Sequence, residues 1–571
     1  MGYSNFMKVA SGLKKAELVL KNAQIINVFN ASIEMGDIAI QDGMIAGIGW
    51  YSGIKEIDLK NRYVCPGFID GHVHIESSML VPHQFAALVM PFGTTSVIAD
   101  PHEIANVSGM EGIRFMLNSA KQVPLDVFVM LPSCVPATIF ETSGRSIEVK
   151  DILQMKKWDH VLGLGEVMSY PSVIQGDKMI HAKIKAMQDY PIDGHAPSLT
   201  GKDLNAYIAS GIKTDHESTT LEEMNEKIAR GLYVHLREGS QTRNVKDLLS
   251  GIHAENKHRM LFCTDDKHPQ DITLEGHINY NVNLAIKNGI SPFWAIQMAT
   301  INTSTCYGLK RYGAIAPGYY ADLLVFESLA EIKPIQVYKK GELVAENGQV
   351  RFMTNPIHCQ EVINSVNIDL SKIHLELPLK KSAVKVMGLI DNNVTTKHFI
   401  RHVNVVNGYY QHDNQSDLLK LAVIERHHAS GNIGLGLVEG YGLKNGAVAM
   451  TIAHDSHNLI VLGDSDHDML LAIETLYKNQ GGICLVKNGE VVDILSLEIS
   501  GLMTQSDALS VRLKLQNMEN IARDMGVKPS IDDPFLQLAF LSLAVIPELK
   551  LTDKGLFDVA KFALVGIEEG G

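Results

Sequence analysis

The chain has 571 residues, of which 46% are hydrophobic and 20% charged, and its formal net charge at pH 7 is -13. This length favours two or three domains over a single core, and the composition excludes disorder over most of the chain. The negative charge argues against a nucleic-acid partner, because such a surface repels a phosphate backbone.

The six cysteines are scattered along the chain, and none forms a CxxC pair. This pattern argues against a disulfide framework and against a thiolate zinc site, and it fits a reducing cytoplasm. The first residues contain no apolar core of a secretory signal, and no apolar run reaches membrane-spanning length. We therefore expect a cytoplasmic protein with no membrane partner.

The N-terminal segment, residues 1–66, alternates between apolar and polar residues as β-strands do. Asp42-Gly43 separates two such runs and is a hairpin turn signal. We expect a small β-sheet domain that ends near Pro66.

Residues 67–311 contain eight short apolar runs that alternate with helical patterns such as HQFAALVMPF and GKDLNAYIAS. Eight such units predict a (β/α)8 barrel. Most runs end in His, Asp or Glu, and catalytic residues of these barrels lie at the C-terminal ends of the strands. A strand that leaves the core for water also ends in polar residues, but this explains the recurrence poorly. The runs are FIDGHVHIE, TTSVIADPHE, LDVFVMLPSCVP, HVLGLGEVM, YPIDGHAP, IKTDHES, GLYVHLREGS and RMLFCTDD.

The remainder of the chain divides into a second flank and a C-terminal region. Residues 312–352 are again strand-like, and we expect them to join the N-terminal strands in one composite β-sandwich domain. A connector over about 351–380 precedes a C-terminal mixed α/β domain at 381–571. The predicted fold class is therefore α/β, with a (β/α)8 barrel as its largest domain.

The most specific motif is PGFIDGHVH at residues 66–74. Side chains alternate along a strand, so His72 and His74 point the same way, and both imidazoles can reach one metal ion. A lone HxH is a weak indication. Its position at the start of the predicted barrel, directly after a small β-domain, makes it a strong one.

This motif and layout resemble the amidohydrolase superfamily. The resemblance implies a (β/α)8 barrel with one or two divalent metals, held by the HxH of strand one, a bridging acidic residue, a His on each of strands five and six, and an Asp after strand eight. Many relatives use a carboxylated Lys as the bridge, whereas this chain has a Glu. At the last position we prefer Asp265 to Asp266. The implied metal residues are His72, His74, Glu166, His195, His216 and Asp265.

One branch of the superfamily, the bacterial adenine deaminases, is similar over essentially the whole chain, in PGFIDGHVHIESSML, VIADPHEIANV, GLGEVM, DGHAP and the C-terminal region. The resemblance implies hydrolysis of adenine to hypoxanthine and ammonia in purine salvage, with water and adenine as partners. It also implies a binuclear centre and suggests a homodimer. The ligand types favour Mn(II) or Fe(II), with Zn(II) as an alternative. Asp265 is predicted to move the proton from water to the leaving amine.

Glu103, at the end of strand two, is predicted to protonate the purine ring or to bind its edge. The alternative is a solvated carboxylate that caps the next helix. Asp100 is a second predicted substrate contact, and His102 has a weaker claim. On strand seven, Arg237 and Glu238 are available to the rim of the barrel, or they pair with each other.

The C-terminal region carries a dense set of ligand-type side chains. They form an extra metal site or a lobe over the barrel mouth, or they organise turns and cap a helix. We favour the turn interpretation for most of them and single out one histidine, His457, for testing. The set is His454, Asp455, His457, Asn458, Asp464, Asp466, His467 and Asp468.

Two other classes of function remain open at this point. One is another amidohydrolase reaction, either cyclic-amide hydrolysis or deacetylation of a sugar. Cyclic-amide hydrolases usually carry Lys where Glu166 stands, and sugar-phosphate deacetylases need cations for the phosphate. The other is a non-catalytic scaffold, which is expected to lose metal ligands.

Overall fold

A computed structural model describes residues 3–569. A short helix precedes five strands, and Asp42 and Gly43 form a two-residue turn between the second and third. Both turn residues have a positive φ, 53° and 72°, as a tight hairpin of this type requires, so the predicted hairpin is confirmed. The elements are α1 (Tyr3–Ala10), β1 (Ala16–Asn27), β2 (Ser32–Gln41), β3 (Met44–Gly49), β4 (Gly53–Asp58) and β5 (Tyr63–Pro66).

Each of the eight predicted barrel runs contains a strand. The first five strands pair in parallel, and so do the last three. A parallel bridge from Val73 to Asp265 closes the ring between the first strand and the end of the eighth, which confirms the (β/α)8 prediction. The strands are β6 (Phe68–Val73), β7 (Thr94–Ala99), β8 (Asp126–Leu131), β9 (Val161–Val167), β10 (Ile192–Gly194), β11 (Thr214–Asp215), β12 (Tyr233–Arg237) and β13 (Met260–Cys263).

Helices cover the outside of the barrel, and polar caps mark where several begin. Thr220 accepts the backbone N–H of Glu223 and starts one helix, while Asp177 accepts two N–H groups at the start of another. The helices are α2 (Pro82–Val89), α3 (His102–Ala120), α4 (Val149–Met155), α5 (Tyr170–Gln175), α6 (Lys178–Ala186), α7 (Gly201–Ala209), α8 (Leu221–Ala229), α9 (Val245–Leu248), α10 (Pro269–Glu275), α11 (Ile278–Lys287), α12 (Pro292–Met298) and α13 (Ile301–Cys306).

Strands from both flanks of the barrel share one sheet. The order is β17-β16-β15-β14-β5-β1-β2-β3, with β4 beside β1, and β14 pairs antiparallel with β5. The predicted domain limits stay predictions. From 351 to 382 the chain has only short 3-10 turns, as expected of a connector. The new strands are β14 (Leu323–Phe326), β15 (Gln336–Lys339), β16 (Glu342–Glu346) and β17 (Gln349–Val350).

The C-terminal region is built on an eight-stranded sheet of order β19-β18-β23-β22-β25-β24-β26-β27, with a helix, α14, packed against β24 and β26. No helix in residues 3–569 is long and apolar enough to cross a bilayer. The elements are β18 (Ala383–Leu389), β19 (Thr396–His402), β20 (Asn404–Val406), β21 (Tyr409–Gln411), β22 (Leu418–Ile424), β23 (Ile433–Glu439), β24 (Gly446–Met450), β25 (Leu459–Gly463), α14 (Asp466–Asn479), β26 (Gly482–Lys487), β27 (Glu490–Ser496), α15 (Ala508–Asp524), α16 (Pro534–Ala539), β28 (Leu549–Thr552), β29 (Gly555–Asp558) and β30 (Ala563–Leu564).

A fully buried lysine on α8 ties together the ends of β10 and β11. Lys227 Nζ lies 2.7 Å from Asp215 Oδ2, 2.7 Å from Glu223 Oε1 and 2.8 Å from the carbonyl oxygen of Ala196. A Lys227→Met variant leaves two buried carboxylates without their cation. We expect the free energy of unfolding of the barrel to fall by roughly 3–5 kcal/mol.

Urea denaturation followed by the fluorescence of the barrel residues Trp158 and Trp294 measures this change. Lys202→Met, on the exposed face of α7, is the matched control and is expected to change the midpoint little. Equal midpoints for the two variants would contradict the assignment of a stabilising role to Lys227.

Candidate active site

Two histidines open the site at the end of the first barrel strand. His72 is the fifth residue of β6 and His74 follows its end; both are buried, and their Nε2 atoms are 3.2 Å apart. His74 Nδ1 donates to the carbonyl oxygen of Asp100 at 2.9 Å. Because a carbonyl only accepts, the proton of neutral His74 is on Nδ1. The lone pair of Nε2 then faces the cluster.

Glu166, on β9, lies between two pairs of histidines. Its Oε1 is 3.1 Å from His72 Nε2 and 3.0 Å from His74 Nε2. Its Oε2 is 2.7 Å from His195 Nδ1 and 3.4 Å from His216 Nε2. Burial alone would raise the pKa of this carboxyl, but the surrounding imidazoles hold the pKa well below its usual range. The carboxylate is therefore ionised and offers one oxygen to each pair.

Asp265 completes the cluster from the loop after β13. Its Oδ1 lies 3.4 Å from His72 Nε2 and 3.2 Å from His74 Nε2, and its Oδ2 accepts a hydrogen bond from Arg237 Nη1 at 3.1 Å. Burial acts to raise the pKa of Asp265, and the adjacent guanidinium outweighs it, so the pKa lies well below the ordinary value. Arg237 thus keeps this carboxylate charged.

The structure brings all six predicted metal residues into one buried cluster, and their chemistry fits divalent metal ions. The ligand atoms are imidazole nitrogens and carboxylate oxygens: each of the four histidines has a ring nitrogen within 3.4 Å of a Glu166 oxygen, and Asp265 lies within 3.4 Å of His72 and His74. His74 shows the usual arrangement of a metal-binding histidine, whose other ring nitrogen donates to a carbonyl. Glu166 lies between the histidines, with Oε1 beside His72 and His74 and Oε2 beside His195 and His216.

Glu217 is a site residue that the sequence analysis missed. Its Oε1 lies 3.3 Å from His216 Nε2 and 3.6 Å from His195 Nδ1, and Arg237 Nη2 donates to its Oε2 at 3.1 Å. The suggested pairing of Arg237 with Glu238 is wrong. Successive residues of a strand point to opposite sides, so Arg237 faces the cluster while Glu238 lies 3.6 Å from Arg243.

Asp100 and His102 lie beside the cluster in different ways. Asp100 Oδ2 accepts the backbone N–H of Glu166 at 2.8 Å, so Asp100 fixes the strand that carries the bridge. Asp100 is buried and does not line the cavity described below, so its predicted substrate contact finds no support in this geometry. The ring of His102 lies 4.5 Å from that of His74 and lines the cavity.

A cavity above the cluster separates the barrel mouth from the C-terminal region. On the barrel side it is lined by the cluster and by Glu103, Glu217, Arg237 and Asp266. On the other side its wall is largely apolar, and no local pattern in the sequence indicates it. This wall consists of Val394, Phe540, Leu543, Val545 and Ile546, together with His454 and Asp455.

Glu103 is buried, so the interpretation as a solvated helix cap is wrong. Its carboxylate contacts His454 and His457 of the C-terminal region. The turn interpretation of the first half of the C-terminal set is therefore wrong as well, because the side chains of His454 and His457 make tertiary contacts. In the second half, the predicted helix cap is present, because Ser465 Oγ accepts the backbone N–H of Asp468 at the start of α14, whereas Asp464 Oδ1 accepts the N–H of Gly446, 18 residues away, at 2.9 Å.

The whole chain is similar to known proteins. The profile described as "Amidohydrolase family" matches residues 63–344, and that described as "Adenine deaminase C-terminal domain" matches residues 393–563. An adenine deaminase of Clostridium acetobutylicum is 49% identical over 97% of this chain and 98% of its own. Adenine deaminase 2 of Carboxydothermus hydrogenoformans is 47% identical, and the adenine deaminase of Geobacillus kaustophilus is 45% identical, each over 99% of both chains.

Proposed function

This chain belongs to the adenine deaminase family, and on that premise we propose that it hydrolyses adenine to hypoxanthine and ammonia, as a step of purine salvage. The observation that carries the proposal is the position of Glu166, with each carboxylate oxygen beside a separate pair of histidines. This arrangement supports a binuclear centre at the C-terminal end of the barrel strands.

The six predicted residues would hold two divalent ions, with Glu166 as the shared ligand. When bound, such ions would lower the pKa of a water molecule to about 7 and so supply hydroxide at neutral pH. The donor set has nitrogen and oxygen ligands and no thiolate, so we propose Mn(II) or Fe(II), with Zn(II) as the alternative. We further propose a homodimer located in the cytoplasm.

Asp265 is the proposed proton carrier. It lies beside His72 and His74 and lines the cavity, so it can accept the proton of the attacking water and deliver it to the departing amine. Arg237 fixes the carboxylate from the other side, which orients the oxygen that takes the proton.

The reaction balances with one water. Oxygen adds to the carbon that bears the amino group, and the electron pair of the adjacent C=N bond moves to the ring nitrogen, which takes a proton. The carbon–amine bond then breaks, ammonia leaves with the proton that Asp265 took from water, and the hydroxyl proton returns to the group that protonated the ring nitrogen as the carbonyl of hypoxanthine forms. Glu103 is proposed to direct the proton to the ring through the imidazoles, because its buried carboxylate lies at the cavity, is held ionised by the surrounding imidazoles, and is hydrogen-bonded to them.

Features of the site disfavour the other amidohydrolase reactions. A glutamate occupies the bridging position at which cyclic-amide hydrolases usually have a lysine. Of the described lysines and arginines, Arg237 lines the cavity, and it is already paired with Glu217 and Asp265, so no lysine or arginine there is free to bind a phosphate. The complete cluster argues against a scaffold role.

Ammonia release from adenine by protein purified with Mn(II) tests the proposal. We expect rapid release, and we expect the matched His74→Ala variant to lose it by roughly 10³-fold or more, because the water is no longer activated. A panel of pyrimidines and cyclic amides serves as the substrate control. Folded, metal-loaded protein that releases no ammonia from adenine would contradict the proposed substrate.

A further inference from the structure

The loop between β24 and β25 brings two histidines of the C-terminal region to the mouth of the barrel. His454 Nδ1 lies 2.7 Å from Glu103 Oε1, and His457 Nε2 contacts Glu103 Oε2. All three side chains are buried. Both carboxylate oxygens of Glu103 are therefore occupied by imidazoles, and Glu103 has limited freedom to contact a substrate directly.

His457 acts as a fixed donor to Glu103. The backbone N–H of Ala453 donates to His457 Nδ1 at 3.1 Å, so the neutral ring carries its proton on Nε2, which faces Glu103. Burial lowers the pKa of His457 to about 4 despite the nearby carboxylate, which keeps the ring neutral at pH 7. This tautomer leaves no lone pair on Nε2 for a metal ion, so the trio is better explained as a hydrogen-bonded group.

His454 is held rigidly and lines the cavity. Its ring stacks on Phe540, with centroids 4.6 Å apart and planes at 14°. The backbone N–H of His454 donates to the carbonyl oxygen of Ala539 at 3.1 Å, and Ser542 Oγ donates to the carbonyl oxygen of His454 at 3.0 Å. Its Nδ1 is used by Glu103, whereas its Nε2 makes no hydrogen bond within residues 3–569 and is left for a molecule in the cavity.

The charges around His454 favour its protonated form. Burial lowers its pKa, but Glu103, Asp266 and Asp455 outweigh this effect and raise the pKa to about 9. His102 competes for the same carboxylate, with its Nε2 3.4 Å from Glu103 Oε1. An imidazolium at position 454 has a proton on both ring nitrogens, so Nε2 is a hydrogen-bond donor.

We propose that His454 is a catalytic residue supplied by the C-terminal region, whose Nε2–H donates a hydrogen bond to a ring nitrogen of the purine, while Glu103 and His457 position its ring. The proposal rests on the proposed function, because it names the group that binds the substrate of that site. The ring nitrogens of a purine have lone pairs in the plane of the ring, and these lone pairs accept hydrogen bonds. His454 offers a free donor to them from the largely apolar wall of the cavity. Glu103 then acts on the ring through His454.

Deaza analogues of adenine test the contact, because each replaces one ring nitrogen by C–H and removes one acceptor. The inhibition constants of 1-, 3- and 7-deazaadenine are measured against adenine for the Mn(II)-loaded wild type, His454→Ala and His428→Ala. A hydrogen bond from a charged donor contributes roughly 10- to 100-fold in affinity. We expect the wild type to bind one of the three analogues more weakly than adenine by that factor. We expect His454→Ala to bind that analogue and adenine almost equally.

His428→Ala is the matched control, since His428 Nε2 contacts the carbonyl oxygen of Ser143 in another link between the same two regions and does not line the cavity. It should retain the wild-type discrimination. A second variant, His454→Gln, applies if alanine prevents folding, and we expect it to lose the discrimination in part.

Three outcomes would overturn the proposal. One is equal discrimination in wild type and His454→Ala, and another is a wild type that discriminates against none of the analogues. The third is loss of a metal equivalent from His454→Ala, which would assign His454 to a metal site. Failure of the proposed function is distinct from these, because it appears as a wild type that releases no ammonia from adenine.

Discussion

A Glu166→Gln variant is expected to lose at least one of two bound metal ions and to fall in kcat for adenine by roughly 10³-fold or more, because activation of water is lost. The carboxylate faces His72 and His74 with one oxygen and His195 and His216 with the other. An amide of the same shape offers one neutral oxygen and one N–H₂ group, so it cannot serve both pairs.

Metal analysis of the purified variant, beside steady-state ammonia release, measures both effects. Glu238→Gln makes the same chemical change in a buried carboxylate that follows β12, outside the cluster, and it should keep both ions and most of the activity. If Glu166→Gln instead retained two ions per chain and activity within tenfold of wild type, Glu166 would not be the bridge.

The core of this site is predictable from sequence because it follows from strand geometry. His72 and His74 are two residues apart, so alternation alone places them on one side. Glu166, His195 and His216 follow from the rule that the C-terminal ends of parallel barrel strands meet at one mouth. The count of eight strand–helix units predicted that side chains distant in sequence meet there, and the resemblance to the amidohydrolase superfamily selected these residues as metal ligands.

Glu217 escaped prediction because alternation fails where a strand ends. Strand β11 contains only Thr214 and Asp215, so His216 and Glu217 belong to the following loop. A loop does not force neighbouring side chains to opposite sides, and both reach the cavity. By contrast, a bridge from Glu238 to Arg243 continues the extended backbone of β12, so alternation still separates Glu238 from Arg237.

The contact between the barrel and the C-terminal region was not predictable for a different reason. Glu103 and His454 are 351 residues apart, and their meeting depends on how the C-terminal region packs on the barrel. The local pattern around His454 is typical of turns, and a local interaction did decide the start of α14, which Ser465 caps. Nothing in the sequence near Phe540 distinguishes an apolar cavity wall from ordinary core.

An Asp265→Asn variant is expected to lose roughly 10²- to 10⁴-fold in kcat, the usual contribution of a positioned acid–base group, with little change in KM. Asparagine can still accept the hydrogen bond from Arg237, but it cannot take a proton from water at neutral pH. Ammonia release under saturating adenine, with the metal content of each sample, measures the effect. Metal content separates a loss of proton transfer from a loss of the metal ion.

Asp266→Asn is the comparison that decides between neighbours. Asp266 also lines the cavity, but its Oδ1 accepts a hydrogen bond from Ser77 and it does not belong to the metal cluster. Its replacement should therefore change KM more than kcat, and kcat should stay within about tenfold of wild type. A larger loss of kcat in Asp266→Asn than in Asp265→Asn would transfer the proton-carrying role to Asp266, because both carboxylates line the cavity.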